Sequence, residues 1–549
     1  MLYLLALACS PPPAERIFAG GAIYTQDPDR PLVDSVAITA GRIVALGNRV
    51  EVLRHLGPLT DVVDLEGGAL FPGFIDTHNH LAWSGAERLG LDLAEATSLE
   101  ETLDQISGWA TAHPDAPWIV GGGWDPAVIG AADRLALDTI VPQQAVFLTS
   151  YDGHSAWVNS LALNLAGVSA ASPVPRGGRI ELGSDGAPSG VLREDAATLF
   201  DPFLPDFDNR TADRGLYDAL RLAGSYGITT VMDPAVERWT LAAYRRAERR
   251  RRLTVRVRAL VEMDPDQGPE QVDDIQRLAA EYDSEMIQVV GGKLYLDGVI
   301  ESGTAALLDP ELGGPGGELL FEDARLAELL SALNQADLVS HAHSIGDGAV
   351  RQYLDQLEVA LTPADRRIRP PIAAHLQLIH PDDAPRFAGL GVYASFSPLW
   401  AWPDEAIIDL ADPRLGEARA DRHYPIGSVA DAGGSVVVGS DWSVTSMNPW
   451  PAIEVGVRRA DPDSDGGLEL SAAEAVDLDT LLAGYTRVAA EALGLAGEVG
   501  VIAVGAQADL VLLEEDPYNL EPEELSEVQV HATWLGGRLV WQSRPVRRP

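Results

Sequence analysis

Two histidines stand two positions apart in the segment DTHNH, His78 and His80. In an extended strand, residues i and i+2 point to the same face, so both imidazoles would be presented together. Further on, SHAHSIGD supplies His341 and His343 at the same spacing, AHLQLI supplies His375, and GSD ends in Asp441. Histidine is scarce, 11 in all, and imidazoles with a carboxylate form the donor set of zinc and similar borderline cations. Taken singly, each has an ordinary explanation: H-x-H recurs by chance, and GSD before a helix can be an N-cap. The joint pattern is what points to a metal site, because every one of these positions ends a strand-like run.

A second chemical signal is a lysine. Of 40 Lys and Arg residues only one is lysine, Lys293, inside the apolar run VVGGKLYLDG. A salt bridge or solubility would be served by arginine, as everywhere else in this chain. Burial lowers a lysine pKa and frees the neutral amine, which can add CO2 to form a carbamate. That group is an anion with two oxygens, able to bridge two cations; arginine stays protonated and cannot form it. The bland alternative is a structural lysine paired with an acid such as Asp297.

The elements that must position these residues can be counted. Strand-like runs lie at 70–80, 227–233, 253–263, 289–298, 337–347, 372–379, 391–398 and 435–441. Most are separated by helix-length segments, such as DARLAELLSALNQA (323–336), with apolar residues at helical spacing. Eight strands alternating with helices predict an α/β fold, a (β/α)8 TIM-like barrel, with catalytic side chains at the C-terminal strand ends. The first gap is too long for one crossover, so an insertion subdomain is expected at about 84–225, after the first barrel strand. Segments 15–68 and 491–549 are β-rich and predict a composite β-sandwich built from both termini, with the barrel spanning 69–490.

The chain has 549 residues, 46% hydrophobic and 22% charged, which is ordinary for a globular protein. A formal net charge of −42 opposes binding to nucleic acid or anionic membranes. The single cysteine, Cys9, follows a short apolar run and precedes a Ser/Pro spacer in MLYLLALACSPPPAE. Residues 1–14 therefore resemble a bacterial lipoprotein signal, though the run is short, no basic residue precedes it, and Ala6 stands where a larger aliphatic residue is usual. The expectation is a cell-envelope protein with a lipid anchor at Cys9 as its only membrane contact; the alternative is a cytoplasmic one. VGGGWD (120–125) is glycine-rich but lacks the Lys-Ser/Thr of a phosphate loop.

In the segments FPGFIDTHNHL, DGHSAWVNSLAL, DGAPSGVLREDA, YGITTVMD, KLYLDG, HSIGD, AHLQLI and GSDWSV, the chain resembles the amidohydrolase superfamily. Within it the resemblance is to the YtcJ-like branch, amidohydrolase family 3, which includes N-substituted formamide deformylase. This implies a barrel hydrolase of non-peptide carbon–nitrogen bonds in a small-molecule substrate. It implies one or two divalent metal ions, most often Zn2+. His78 and His80 would hold the more buried ion, Lys293 would bridge as its carbamate, and His343 and His375 would hold the second. Asp441 would be both ligand and general base. His341 is a rival or supporting partner for His343, and Ala374 stands where an acid often precedes the sixth-strand histidine. Hydroxide activated by the metals would attack the carbonyl while Asp441 accepts its proton and passes it to the departing amine.

The same resemblance puts His154, in DGHSAWVNS, on the insertion facing the barrel mouth, as a substrate contact, a carbonyl polariser or a structural hydrogen-bond partner. Trp124, Trp400 and Trp442 are candidates for an aromatic wall. The rival readings are hydrolysis of esters or cyclic amides, deamination on the same scaffold, or a catalytically silent ligand-binding protein. The intact donor set argues against the last. A homo-oligomer is left open.

Overall fold

The structure, a computed structural model, describes residues 11–130, 133–205, 207–314, 316–362, 370–464 and 466–544. Cys9 and the apolar run before it lie outside the described residues.

Eight strands form one parallel sheet: Phe74–Asp76, Ile228–Asp233, Arg256–Glu262, Ile287–Tyr295, Val339–Ser344, Ile372–His375, Tyr393–Phe396 and Ser435–Val438, neighbours in that order. Each corresponds to one of the runs predicted from sequence. The first and eighth strands nearly close the ring just past their ends. Thr77 N–H donates to Val438 O over 3.0 Å and Asp441 N–H to His78 O over 2.8 Å, and Asn79 bridges to Trp442 in parallel register. The fold is thus α/β around a nearly closed eight-strand barrel. Helices cover its outside by the expected periodicity: Asp323–Gln335 buries Leu326, Leu329, Leu330 and Leu333, one face at i, i+3, i+4 and i+7.

The run predicted as one strand from residue 70 is two. Ala69–Pro72 pairs with Leu510–Leu513 in a different sheet, and only Phe74–Asp76 joins the barrel. Gly73 makes the switch, because a Cβ there would lie 2.4 Å from the Thr229 side chain. That other sheet unites both ends of the chain, from Arg16–Tyr24 to Arg538–Gln542. Period-two alternation divides its residues. Leu70, Leu510 and Leu512 join a core with Phe18 and Trp534, while Phe71, Val511 and Leu513 join the large cluster formed by barrel strands and their covering helices.

Between the first two barrel strands lies a six-stranded sheet running from Leu91–Asp92 to Pro188–Arg193 and Arg179–Leu182. It has its own core of Ile106, Ile119, Leu137, Leu148 and Trp157. Its strand Ala145–Ser150 turns into Ser155–Val158 through the DGH segment that carries His154. Among the described residues no helix is long and apolar enough to cross a membrane.

Candidate active site

The C-terminal ends of the barrel strands bring the sequence-predicted residues to one place. His78 Nε2 is 3.5 Å and His80 Nε2 3.3 Å from Asp441 Oδ1. His375 Nδ1 is 3.7 Å from Asp441 Oδ2. Lys293 Nζ lies 3.3 Å from His78 Nε2 and 4.8 Å above the Tyr295 ring. The His343 ring is 4.6 Å from that of His375. Among the described residues, one group of three potential ligands converges within 4.8 Å: His78, His80 and Asp441. Lys293 abuts that group through His78 and His375 through Asp441, and His343 stands beside His375.

The donors are in ligand-ready states. Burial first, and then the neighbouring Lys293 charge, pushes the His78 imidazole well below its ordinary value. Burial does the same to His343 and His375, so these rings present neutral nitrogens, the form that binds a cation. His78 Nδ1 is buried without a hydrogen-bond partner, an arrangement that costs free energy unless something outside the protein supplies the contact. Burial also lowers the Lys293 amine to about 7, against the opposing pull of Asp441 and Glu262. The residues therefore fit a divalent cation. Local backbone geometry at the site is unusual: His375 (φ 74°), Leu376 (φ 54°) and Asp441 (φ 52°) occupy the left-handed region, a cost of about 1–3 kcal/mol each that persists where surrounding contacts enforce it.

Backbone bonds from Leu376 N–H to Ser344 O (3.0 Å) and from Asp441 N–H to His78 O (2.8 Å) hold these residues, and two buried carboxylates tie down the neighbouring segments. Asp76 Oδ2 accepts from Ser440 Oγ (2.6 Å) and Asn79 Nδ2 (2.8 Å), and Asp76 Oδ1 from Ser440 N–H (3.0 Å). Asp297 does not pair with Lys293. Its carboxylate accepts backbone N–H bonds from Ile345, Gly346 and Ala306 at 3.0, 2.8 and 3.0 Å, and so holds the fifth-strand loop. The structural-lysine alternative therefore loses its proposed acid. His341 shares a register level with Lys293, its ring 4.8 Å from His78, whereas His343 sits one level nearer the mouth and lines the cavity there.

That cavity, about 420 Å³, is lined by Asp441, His343, His375 and His154 among others. A surface cavity of about 660 Å³ against helices Asn209–Ser225 and Arg238–Arg249 contains none of these residues. His154 Nδ1 is 2.6 Å from Glu194 Oε2, and its ring is 5.3 Å from His343. Burial alone would lower the His154 pKa, but the Glu194 carboxylate reverses this and holds it up to about 10. The aromatic-wall expectation holds for one tryptophan. Trp400 lines the cavity, stacked on His375 at 5.4 Å and 5°. Trp124 is instead in the core of the inserted sheet, donating Nε1–H to Leu148 O. Trp442 is packed in the main barrel cluster.

A parallel barrel with imidazoles and a carboxylate converging at its C-terminal mouth is the architecture of the metal-dependent hydrolases. A family model described as the amidohydrolase family matches residues 61–541. The chain belongs to that family and is a hydrolase of carbon–nitrogen bonds other than peptide bonds. It is similar to Protein LONG AFTER FAR-RED 3 of Arabidopsis thaliana, 29% identical over 98% of this chain and 94% of the relative. It is also similar to N-substituted formamide deformylase of Arthrobacter pascens, 27% identical over 95% and 97%. An uncharacterized metal-dependent hydrolase from Pyrococcus horikoshii OT3 shares the fold, with a TM-score of 0.73 and 23% identity over 92% of this chain and 99% of that one.

Proposed function

We propose that the protein hydrolyses an amide-type, non-peptide C–N bond of a small molecule, using one or two zinc ions. His78, His80 and Asp441 would hold the first. Lys293, as its carbamate, would bridge to a second held by His343 and His375, with segment 84–225 acting as an inserted subdomain over the mouth. The observation that carries this is the convergence of His78, His80 and Asp441 within 4.8 Å, beside a cavity large enough for a small molecule.

A bound cation supplies carbonyl polarisation and acidifies water. The chain's own residues do the rest. Asp441 lies at the cavity floor, where it can take a proton from the attacking water and return it to the amine nitrogen as the C–N bond breaks. Without that transfer the amide anion would be too poor a leaving group. Lys293, whose amine burial lowers to about 7, is neutral in a substantial fraction of molecules near that pH, and the neutral amine loses one proton as its nitrogen bonds to CO2, giving the anionic carbamate. His154, kept cationic by Glu194, offers an N–H to a substrate oxygen in the same cavity. Choosing His343 over His341 as ligand follows from its place on the cavity wall and from its Nε2 lying 3.3 Å from Gly298 O, which leaves Nδ1 for a cation.

The test has two arms: zinc content of protein purified without added metal, and amine release from a panel of N-formyl, N-acyl and cyclic amides. Near-zero metal under every loading condition would remove the reading.

A further inference from the structure

We propose that the substrate carries a positively charged nitrogen apart from the scissile amide, held in this cavity by an acidic and aromatic wall. The inference rests on the hydrolase reading above and names its substrate class.

The same cavity that contains Asp441 and His375 is lined by the carboxylates of Asp152, Glu301, Asp404, Asp461 and Asp463, and no lysine or arginine is among its lining residues. An acidic chain carries acids everywhere on its surface, and Asp463 is one of the exposed ones, but Glu301, Asp404 and Asp152 are half-buried and held in place. Glu301 Oε1 accepts from the Nε2–H of Gln377, itself 1% exposed, over 2.8 Å. Asp404 Oδ1 accepts from Ile407 N–H over 2.8 Å, and Asp152 Oδ1 from His154 N–H over 3.0 Å. Burial raises Glu301 to about 7 and Asp404 to about 6, and the one cationic side chain lining the cavity, His154, is already paired with Glu194, so these carboxyls gain from a further positive charge. The Tyr151 phenol, which lines the same cavity, is pushed up by burial first and then by the charges of Asp152, Glu301, Asp125 and Asp404.

Two sources could supply that charge, a metal ion or an organic cation. A metal needs several donor atoms converging on one point. Among the described residues only His78, His80 and Asp441 do so; these acids are spread along a wall. Spread acids suit a delocalised or alkylated ammonium group. The rest of the lining agrees: Trp400, Trp402 and Tyr424 share the cavity, and aromatic faces attract such cations more than they attract neutral groups. The scissile amide nitrogen is itself uncharged, so the cation must be a second nitrogen of the substrate.

A matched pair of substrates decides the matter. One is the N-formyl derivative of 4-(trimethylammoniomethyl)benzylamine; the other replaces the quaternary nitrogen by carbon, keeping shape and scissile bond. With the zinc-loaded enzyme, the cationic member is expected to show at least about tenfold higher kcat/KM, and Glu301→Gln or Asp404→Asn to lower that preference by at least about tenfold. Equal or reversed preference in the unaltered enzyme would overturn the proposal. Should neither amide be cleaved, the hydrolase reading fails for this bond and binding decides alone. Saturable tryptophan quenching by benzyltrimethylammonium, weakened in Glu301→Gln and by about 0.5 M salt, supports the wall. No saturable quenching refutes it.

Discussion

Ser440 Oγ donates to Asp76 Oδ2 over 2.6 Å, across 364 positions of sequence. Asp76 precedes His78 by two residues and Ser440 directly precedes Asp441, so one buried carboxylate fixes the spacing between donors from the first and eighth strands. Burial raises Asp76 to about 6, and bonds from Asn79 and Ser440 hold it back from going higher. Asp76→Ala would leave the Ser440 N–H and Oγ–H donors buried without their acceptor and Asn79 Nδ2 with only its 3.3 Å bond to Ser440 Oγ, about 1–3 kcal/mol for each stranded group. The expected outcome is a folded but less stable protein whose zinc affinity is weaker by about 10–100-fold. Competition with a chromophoric chelator checks it; unchanged affinity would mean that the carboxylate does not orient the donors.

Lys293→Arg tests the amine. The position is fully buried beside His78, and a guanidinium cannot add CO2. The variant should retain its far-ultraviolet circular dichroism, lose activity by about a hundredfold or more and bind less zinc than the parent. Lys293→Ala should regain part of its activity in acetate or propionate, whose carboxylate can replace the carbamate in the space vacated. Full turnover by the arginine variant would sink the carbamate.

The His154–Glu194 pair predicts a pH signature. The His154 pKa rises from 6.5 to about 10 on folding, so its contribution is complete below 6.5 and disappears as pH rises through about 10. The Glu194 pKa is lowered: burial would raise it, and the His154 charge and hydrogen bond overcome that. Its contribution is present above the ordinary carboxylate value and lost as pH falls through the lowered one. Glu194→Gln should therefore be destabilised relative to the parent at about pH 7, with the gap closing toward about pH 10. Urea midpoints of both proteins across that window provide the measurement, and a gap independent of pH would contradict the assigned charge pair.

The barrel was legible because buried parallel strands write themselves as short apolar runs, and the donors because each stands at the end of such a run. What stayed hidden lies between distant segments. Glu194 falls within a quoted motif, yet nothing at position 194 says that His154, 40 residues earlier, leans on it. Asp297 reads in sequence as a possible partner of Lys293, and Asp76 carries no signal at all, until their bonds to Ile345, Gly346, Ala306 and Ser440 are seen. Trp124 reads as a wall residue because it flanks a strand-end motif; the inserted sheet has its own core, and that core takes the indole. The strand predicted from residue 70 crossed a sheet boundary at Gly73, since an apolar run looks the same whichever sheet it joins.

Gly439, in the GSD segment, supplies the last prediction, because here a glycine is required by contact and not by its φ. A Cβ on Gly439 would lie 2.5 Å from His78 Cβ and 2.9 Å from His78 N. Neither side can retreat easily. Gly439 N–H is bonded to Phe396 O over 3.0 Å, and His78 O accepts Asp441 N–H over 2.8 Å. Gly439→Ala must therefore push the first strand end away from the eighth and carry the His78 ring off Asp441. Overpacking of this kind costs about 1–3 kcal/mol, and a donor displaced by even about 1 Å can cost about a hundredfold in rate. The expected variant is destabilised in urea, retains less zinc after dialysis than the parent, and turns over substrate at least about tenfold more slowly. A Gly439→Ala protein with parental zinc content and rate would show that the two strand ends separate freely, and that their contact does not set the geometry of the cluster.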